Sequence, residues 1–201
     1  MARPIQKRED IERGVIEVVA RKGLRGTTIQ DIADAASVSP GLLYRYWKNR
    51  DDLAADVYRQ RYLALLERLG TLAAAPGTVP EKLRALIGAF LRFADDEPVL
   101  LRFLLLSQHD LADRVPESAG VHTMARNLIR AGVSEGWLRE MDAELAVQLL
   151  LGLVLQPVVG ATYGHLAHPV SAYADAIYSA VQRTLLVEAS QQLSFARNKQ
   201  D

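Results

Sequence analysis

The sequence predicts an all-α fold of about nine helices, with a small three-helix N-terminal head followed by a larger helical body. Three observations predict it. Apolar residues recur at spacings of three and four through most of the 201 residues, which is the period of an amphipathic helix. Val, Ile and Thr do not gather into alternating runs, so no strand is expected. Gly and Pro mark the breaks between periodic stretches, at Glu97-Pro98, Val115-Pro116, Gly132–Gly136 and His165–Pro169.

The first helix is expected over about residues 5–22, with Ile11, Val15, Ile16 and Val19 on one face and Gly23 in a C-cap position. Thr27 or Thr28 can cap a second helix, and Asp31, three residues after Thr28, completes an approximate capping box. That helix turns Ile29, Ile32, Ala33 and Ala36 inward. Ser37-Val38 turns the chain. Ser39 then caps a third helix with Pro40 at its first position, where a missing N–H costs nothing.

A fourth helix begins near Asp51, its acids at the positive end, and runs to about Leu72. Residues 73–79, AAAPGTV, read as a linker. Further helices are expected at about 80–95, 98–111, 119–135, 142–164 and 170–190, with a polar, frayed tail after Phe195. The longest apolar stretch, Leu145–Ala161, has only Gln148 and Gln156 as polar side chains and contains Pro157. It is slightly short for a bilayer and lacks basic flanks, so it reads as a helix buried on all sides and not as a membrane span.

Composition excludes several kinds of chemistry. Apolar residues make up 49% and charged residues 24%, values ordinary for a globular protein. With no cysteine there is no disulfide scaffold and no thiolate nucleophile. The start, MARPIQKRED, has no apolar run of the secretory kind, and a cytoplasmic location is expected. Gly132-Val133-Ser134-Glu135-Gly136 matches G-x-S-x-G, but that motif needs a strand-turn-helix and here joins two helical patterns. His165 and His168 are two possible ligands where a metal needs three or four. No phosphate loop or dinucleotide fingerprint occurs. The expectation is a non-enzyme with no metal and no cofactor.

The net charge of zero hides an asymmetry. Residues 1–50 carry ten Lys+Arg and six Asp+Glu, a net +4; residues 51–201 carry the remaining fourteen and eighteen, a net −4. A basic head suits a polyanionic partner. Two short helices joined by a tight turn form the pattern of a helix-turn-helix. Ala33 supplies the small residue where such helices cross, and Ile32, Val38 and Leu43 supply the inner face. Pro40, Gly41, Leu42, Arg45 and the hydroxyls of Tyr44 and Tyr46 are left outside, on a face nearly free of carboxylates. Phosphates are met by cations, hydroxyls and amides at helix N-termini, which Thr28, Ser39, Tyr44, Tyr46, Lys48 and Arg50 can offer. Gly41 allows a duplex to approach closely. Arg45 can read a guanine edge and Leu42 can touch a thymine methyl.

The segment TTIQDIADAASVSPGLLYRYWKNRDDL, Thr27–Leu53, resembles the DNA-binding signature of the tetracycline-repressor (TetR) family. The likeness covers about the first fifty residues; beyond them only length and helical plan agree. It implies that Thr28, Tyr44, Tyr46, Lys48 and Arg50 hold phosphates, and that Gln30, Pro40, Gly41, Leu42 and Arg45 read bases. Two departures stand out. Ser37 occupies a turn position usually held by Gly, at a cost of about 1 kcal/mol if its φ is positive. Trp47 stands where Phe is usual, which reads as a packing change.

The expected division is therefore a helix-turn-helix DNA-binding domain at 1–50 and a helical ligand-binding and dimerisation domain at 51–201. Leu145–Ala161 and Ala172–Leu186 have broad apolar faces able to meet their copies in a four-helix dimer interface. The resemblance implies a ligand-responsive transcriptional repressor bound to a near-palindromic operator and released by a small molecule. The scarcity of carboxylates in the apolar stretches suits a neutral, hydrophobic effector over a cation. Candidate pocket walls are Phe90, Phe93, Phe103, Trp137 and Leu149, and candidate anchors are Gln108, His109, Gln148, Gln156 and Tyr163. The alternative is a helical small-molecule binding protein with a vestigial DNA-binding head.

Overall fold

The computed structural model describes residues 4–115 and 120–187. Among them are nine α-helices: α1 (Pro4–Lys22), α2 (Ile29–Ala35), α3 (Pro40–Tyr44), α4 (Arg50–Ala74), α5 (Val79–Asp96), α6 (Pro98–Leu111), α7 (Val121–Ser134), α8 (Ala143–Thr162) and α9 (Ala174–Leu185). Two 3-10 segments, Ala112–Arg114 and Val170–Tyr173, complete the set. The fold is all-α; the extended pairing among the described residues is one isolated bridge, Leu138 to Leu186. The tail after Phe195 and residues 188–190 of the last expected helix lie outside the described residues.

The helices divide into two compact units. The first takes the described parts of Met1–Leu65 and Glu97–Glu117, so α6 packs with the N-terminal helices, against α1. Val15, Val18, Val19, Ile32, Leu43, Leu53, Val57 and Phe103 form its buried centre. Tyr58 stacks on Tyr62 at 5.6 Å and meets Phe103 edge-on at 6.2 Å, both favourable aromatic geometries. Arg61 of α4 donates to Glu12 of α1 at 2.6 Å.

The second unit takes the described parts of Leu66–Asp96 and Ser118–Asp201. The expected linker shrinks to Ala75–Thr78, because Glu81 accepts from the Thr78 amide at 2.8 Å and hydroxyl at 2.9 Å and so starts α5 early. Val79, Leu83, Leu91, Val181 and Leu185 are buried at its centre. Asp95 accepts from the amides of Val170 and Ser171 at 2.7 and 2.9 Å, which holds the 3-10 turn before α9. Burial works against its charge, but these bonds, the Ser171 hydroxyl and His168 together hold its carboxyl below the usual range. The last helix ends earlier than expected. Leu186 turns extended to pair with Leu138, and Arg139 N–H donates to Leu185 O at 2.9 Å while Val187 N–H donates to Trp137 O at 3.1 Å.

The G-x-S-x-G segment is the end of α7 and the turn after it. Gly136 has φ 77°, and the Trp137 amide donates to Gly132 O at 2.8 Å. A Cβ on Gly132 would lie 2.4 Å from Leu138 Cδ1. Close packing explains that glycine, and no strand precedes the serine. Among the described residues no group of three or more His, Cys, Asp or Glu is placed to hold a metal.

Candidate nucleic-acid interface

The site is built from the turn after α1 onward. Gly23, at φ 71°, ends α1, and buried Thr27 donates its hydroxyl back to Gly23 O at 2.8 Å. Thr28 then caps α2: its Oγ1 accepts from Asp31 N–H at 3.1 Å, and Asp31 Oδ2 accepts from the Thr28 amide at 2.9 Å. The capping box is complete. Lys22 of α1 donates to Asp31 at 2.6 Å. This ammonium first, then the Thr28 amide and hydroxyl, hold the Asp31 carboxyl down at about 2. Helices α1 and α2 come together where Gly14 faces Ala36; a Cβ on Gly14 would lie 3.3 Å from Ala36 Cβ. Gly14 and Ala36 are thus the small residues of the α1–α2 contact, and Ala33, the small residue read for the crossing of α2 and α3, is buried.

The turn between α2 and α3 is tight. Ser37 N–H donates to Asp34 O at 3.1 Å and Val38 N–H to Ala33 O at 2.9 Å. Ser37 has φ 53°, the single positive value at a non-glycine among the described residues. Ser39 Oγ accepts from Leu42 N–H at 3.3 Å, with Pro40 in the first turn of α3. Leu43 and Ile32 are fully buried and fasten the pair inward.

The outward face follows from this. Tyr44 and Tyr46 are 54% and 67% exposed, very high for tyrosine. Thr28, Gln30, Ser39, Gly41, Arg45 and Lys48 are exposed as well, and Pro40 and Leu42 are half-buried. A Cβ on Gly41 would meet nothing within 4 Å and its φ is not positive. Nothing inside the chain requires glycine there.

Three of the predicted residues are occupied internally. Thr28 Oγ1 donates to Asp31 at 2.8 Å, and Gln30 Nε2 to Asp34 at 2.7 Å. Arg50 donates to Thr27 O at 2.6 Å and to Asp51 at 2.5 and 2.8 Å. It ties the start of α4 to the loop before α2. Arg45 and Lys48 make no ion pair among the described residues. One contact had no signal in the sequence: Trp47 Nε1 donates to Asp56 Oδ2 of α4 at 3.2 Å. An aspartate nine residues on looks like any solvated helix acid.

The predicted effector residues divide between the two units. Phe103, Gln108 and His109 lie on α6 in the first unit; Phe90, Phe93, Trp137, Gln148, Leu149, Gln156 and Tyr163 lie in the second. Phe93 and Phe103 are buried, Phe90, Trp137 and Leu149 half-buried, Gln108 and His109 exposed. Gln148 and Gln156 are exposed too, so the premise that they are buried amides fails.

The reason lies in α8. This helix is long and apolar enough to cross a membrane by length and composition alone, yet only 28% of the stretch is buried. Ala146, Val147, Leu150, Val154, Val158 and Ala161 face inward. On the other side, positions 145, 149, 152, 156, 159 and 163 alternate spacings of four and three, the seam of paired helices. Leu145 and Tyr163, at its two ends, are 53% and 60% exposed. The helix expected to be buried on all sides is therefore buried on one. On α9, Ala176 is exposed and Ser179 and Ala180 half-buried, so small residues are available for close helix approach.

A capped helix-turn-helix whose outer face joins exposed tyrosines and unpaired cations is the build of a DNA-binding regulator. Residues 15–57 match the family model for bacterial regulatory proteins of the tetR family. The fatty acid metabolism regulator protein of Bacillus subtilis (strain 168) is 26% identical over 149 residues, 71% of this chain and 77% of that protein. The HTH-type transcriptional repressor KstR2 of Rhodococcus jostii (strain RHA1) is 29% identical over 146 residues, 65% of this chain and 68% of that one. Among solved structures, FadR from Bacillus subtilis in complex with stearoyl-CoA superposes with a TM-score of 0.77 at 20% identity, over 87% of this chain and 97% of that one. The ketosteroid transcriptional regulator KstR2 of Mycobacterium tuberculosis gives 0.72 at 18% identity, over 94% and 98%. Residues 15–57 thus carry the DNA-binding signature of that family, and the relatives that the chain matches are transcriptional regulators.

Proposed function

We propose that this protein is a cytoplasmic transcriptional repressor that binds a near-palindromic operator as a homodimer and is released by an apolar effector carried as a coenzyme A thioester. The carrying observation is the outer face of α2 and α3: Tyr44, Tyr46, Arg45 and Lys48 are presented on a scaffold pinned by two side-chain caps. In this reading Tyr44, Tyr46, Lys48 and the capped N-termini at Thr28 and Ser39 hold phosphates, while Pro40, Gly41, Leu42 and Arg45 face bases. Gln30 is an edge contact, and Arg50 sets the loop before α2. The domain assignment is a DNA-binding head at residues 1–50 on a ligand-binding and dimerisation body at 51–201.

The dimer is supported by the uncovered seam of α8 and the small residues of α9, which leave an apolar face for a second copy. Two-fold symmetry sets the reading helices about one DNA turn, ~34–36 Å, apart. The effector class is supported by the likeness to a fatty acid metabolism regulator and to the fold solved with stearoyl-CoA. Phe90, Phe93 and Trp137 are the aromatic candidates for its walls within the second unit.

Fluorescence anisotropy tests this reading. The protein is titrated onto DNA from upstream of its own gene and onto a scrambled duplex at two salt concentrations, then challenged with stearoyl-CoA, free coenzyme A and stearate. Tighter binding to the native duplex at the higher salt, reversed by stearoyl-CoA alone, is expected. Equal, salt-erased binding to both duplexes, with random-sequence selection yielding no site, refutes the regulator reading and leaves a binding protein with a vestigial head.

A further inference from the structure

We propose that Trp47 is a positioning residue for the phosphate-facing side chains on either side of it, with Asp56 of α4 as its anchor. This rests on the DNA-binding reading above.

The connection from α3 to α4 is five residues long, and its two ends are fixed by backbone and cap. The amides of Tyr46 and Trp47 both donate to Leu43 O at 3.0 Å. Asn49 Oδ1 accepts from Asp52 N–H at 2.8 Å and starts α4. Between these points the indole of Trp47 is the side-chain tie among the described residues, its Nε1–H on Asp56 Oδ2 at 3.2 Å. Asp56 is itself held: Arg59 Nη2 lies 3.2 Å from its Oδ1, and Arg8 Nη2 of α1 lies 3.8 Å from its Oδ2. Both oxygens are engaged, so the acceptor has little freedom to swing.

The consequence is directional. Trp47 is half-buried, whereas its neighbours Tyr46 and Lys48 are exposed. Within this connection Trp47 is the residue turned inward, and Arg45, Tyr46, Lys48 and Asn49 are exposed. The Tyr46 ring also leans on the indole, with centroids 5.7 Å apart at 58°. The anchored indole is therefore a wall for the tyrosine as well as a pin for the backbone carrying the lysine. A phenylalanine at this position keeps the wall and loses the pin. A phosphate contact is intolerant of such slack, since donor and oxygen must meet within hydrogen-bond distance.

The test uses the full chain and random-sequence double-stranded DNA at low salt, because phosphate contacts need no operator. Trp47→Phe, Asp56→Ala, Asp56→Asn and the Trp47→Phe/Asp56→Ala double variant are compared with wild type by anisotropy and thermal melting. Trp47→Phe and Asp56→Ala should each weaken binding about 3- to 10-fold, less than the full value of one hydrogen bond to a charged acceptor, because the phosphate contacts are loosened and not removed. The double variant should be no weaker than the worse single, because both remove one interaction. Asp56→Asn, whose amide oxygen still accepts, should bind as wild type. The slope of log affinity against log salt should fall by about one as the Lys48 contact loosens, with melting temperatures lowered little and not in step with the loss of affinity. Additive losses, losses that follow melting temperature at constant slope, or a Trp47→Phe protein that binds as wild type overturn the proposal while the DNA reading stands. A wild-type protein that binds no duplex sinks the DNA reading, and this proposal with it.

Discussion

Replacing Ser37 by Gly should make the protein more stable, and the size of the gain follows from one torsion angle. Ser37 sits at φ 53° in the turn between α2 and α3. There an L side chain is crowded against its own carbonyl, at about 1–2 kcal/mol. Its side chain is exposed and its amide donates to Asp34 O, a bond that glycine keeps. Against the relief stands the greater entropy glycine loses on folding, roughly 0.5–1 kcal/mol. At the middle of both ranges the net is a stabilisation of about 0.75 kcal/mol, or about 1.5–3 °C in melting temperature for a chain of this size. The assay is thermal unfolding by far-ultraviolet circular dichroism at one fixed protein concentration, since association would shift the midpoint by mass action. Ser37→Ala is the control: it keeps the strain and gains no freedom, and should melt at or below wild type. A Ser37→Gly protein no more stable than wild type, with Ser37→Ala equal or better, would refute the strain argument.

Four further outcomes are expected. Gly41→Ala should leave stability unchanged or slightly raised, because its Cβ meets nothing within 4 Å, but should weaken DNA binding; a loss of stability by denaturant titration would contradict it. Arg45→Ala should flatten the preference between operator and scrambled duplex, whereas Tyr44→Phe should weaken both alike, as read by competition anisotropy. Asp31 has a folded pKa near 2, below its ordinary 3.8, so its stabilising effect is complete above about pH 4 and fades as pH falls towards 2; unfolding midpoints of wild type and Asp31→Asn should converge over that range. Gly152→Glu, on the uncovered side of α8 where a Cβ meets nothing, should leave a folded chain that sediments as a monomer, against a dimeric wild type.

Much of the head was legible because its signals are local. Thr28 with Asp31, Ser39 with Pro40 and Gly23 are caps whose partners lie within a few residues, and the structure builds them as read. The range 98–111 came out intact because proline opens it. What could not be read depends on residues far apart in the chain or on which side of an apolar helix its own chain covers. Arg50 looks like a free cation until Thr27 O, 23 positions earlier, is found against it. Leu186 belongs to a helical pattern until Leu138 pairs with it. Gln148 and Gln156 looked like buried amides because an apolar helix has the same composition whether its own chain covers every side of it or only one.

The uncovered side of α8 also bears on how much of this protein a cell must make. In the proposed dimer the stripe is hidden against a second copy, and the protein is a competent reader only after two chains have met. While chains are scarce, the number of pairs rises as the square of the number of chains, so halving supply removes about three quarters of the pairs. Chains caught alone carry an apolar strip with nothing over it, the feature by which unfinished proteins stick together or are cleared. Synthesis slightly above the pairing threshold would then separate a silenced target from an open one, even before any effector arrives.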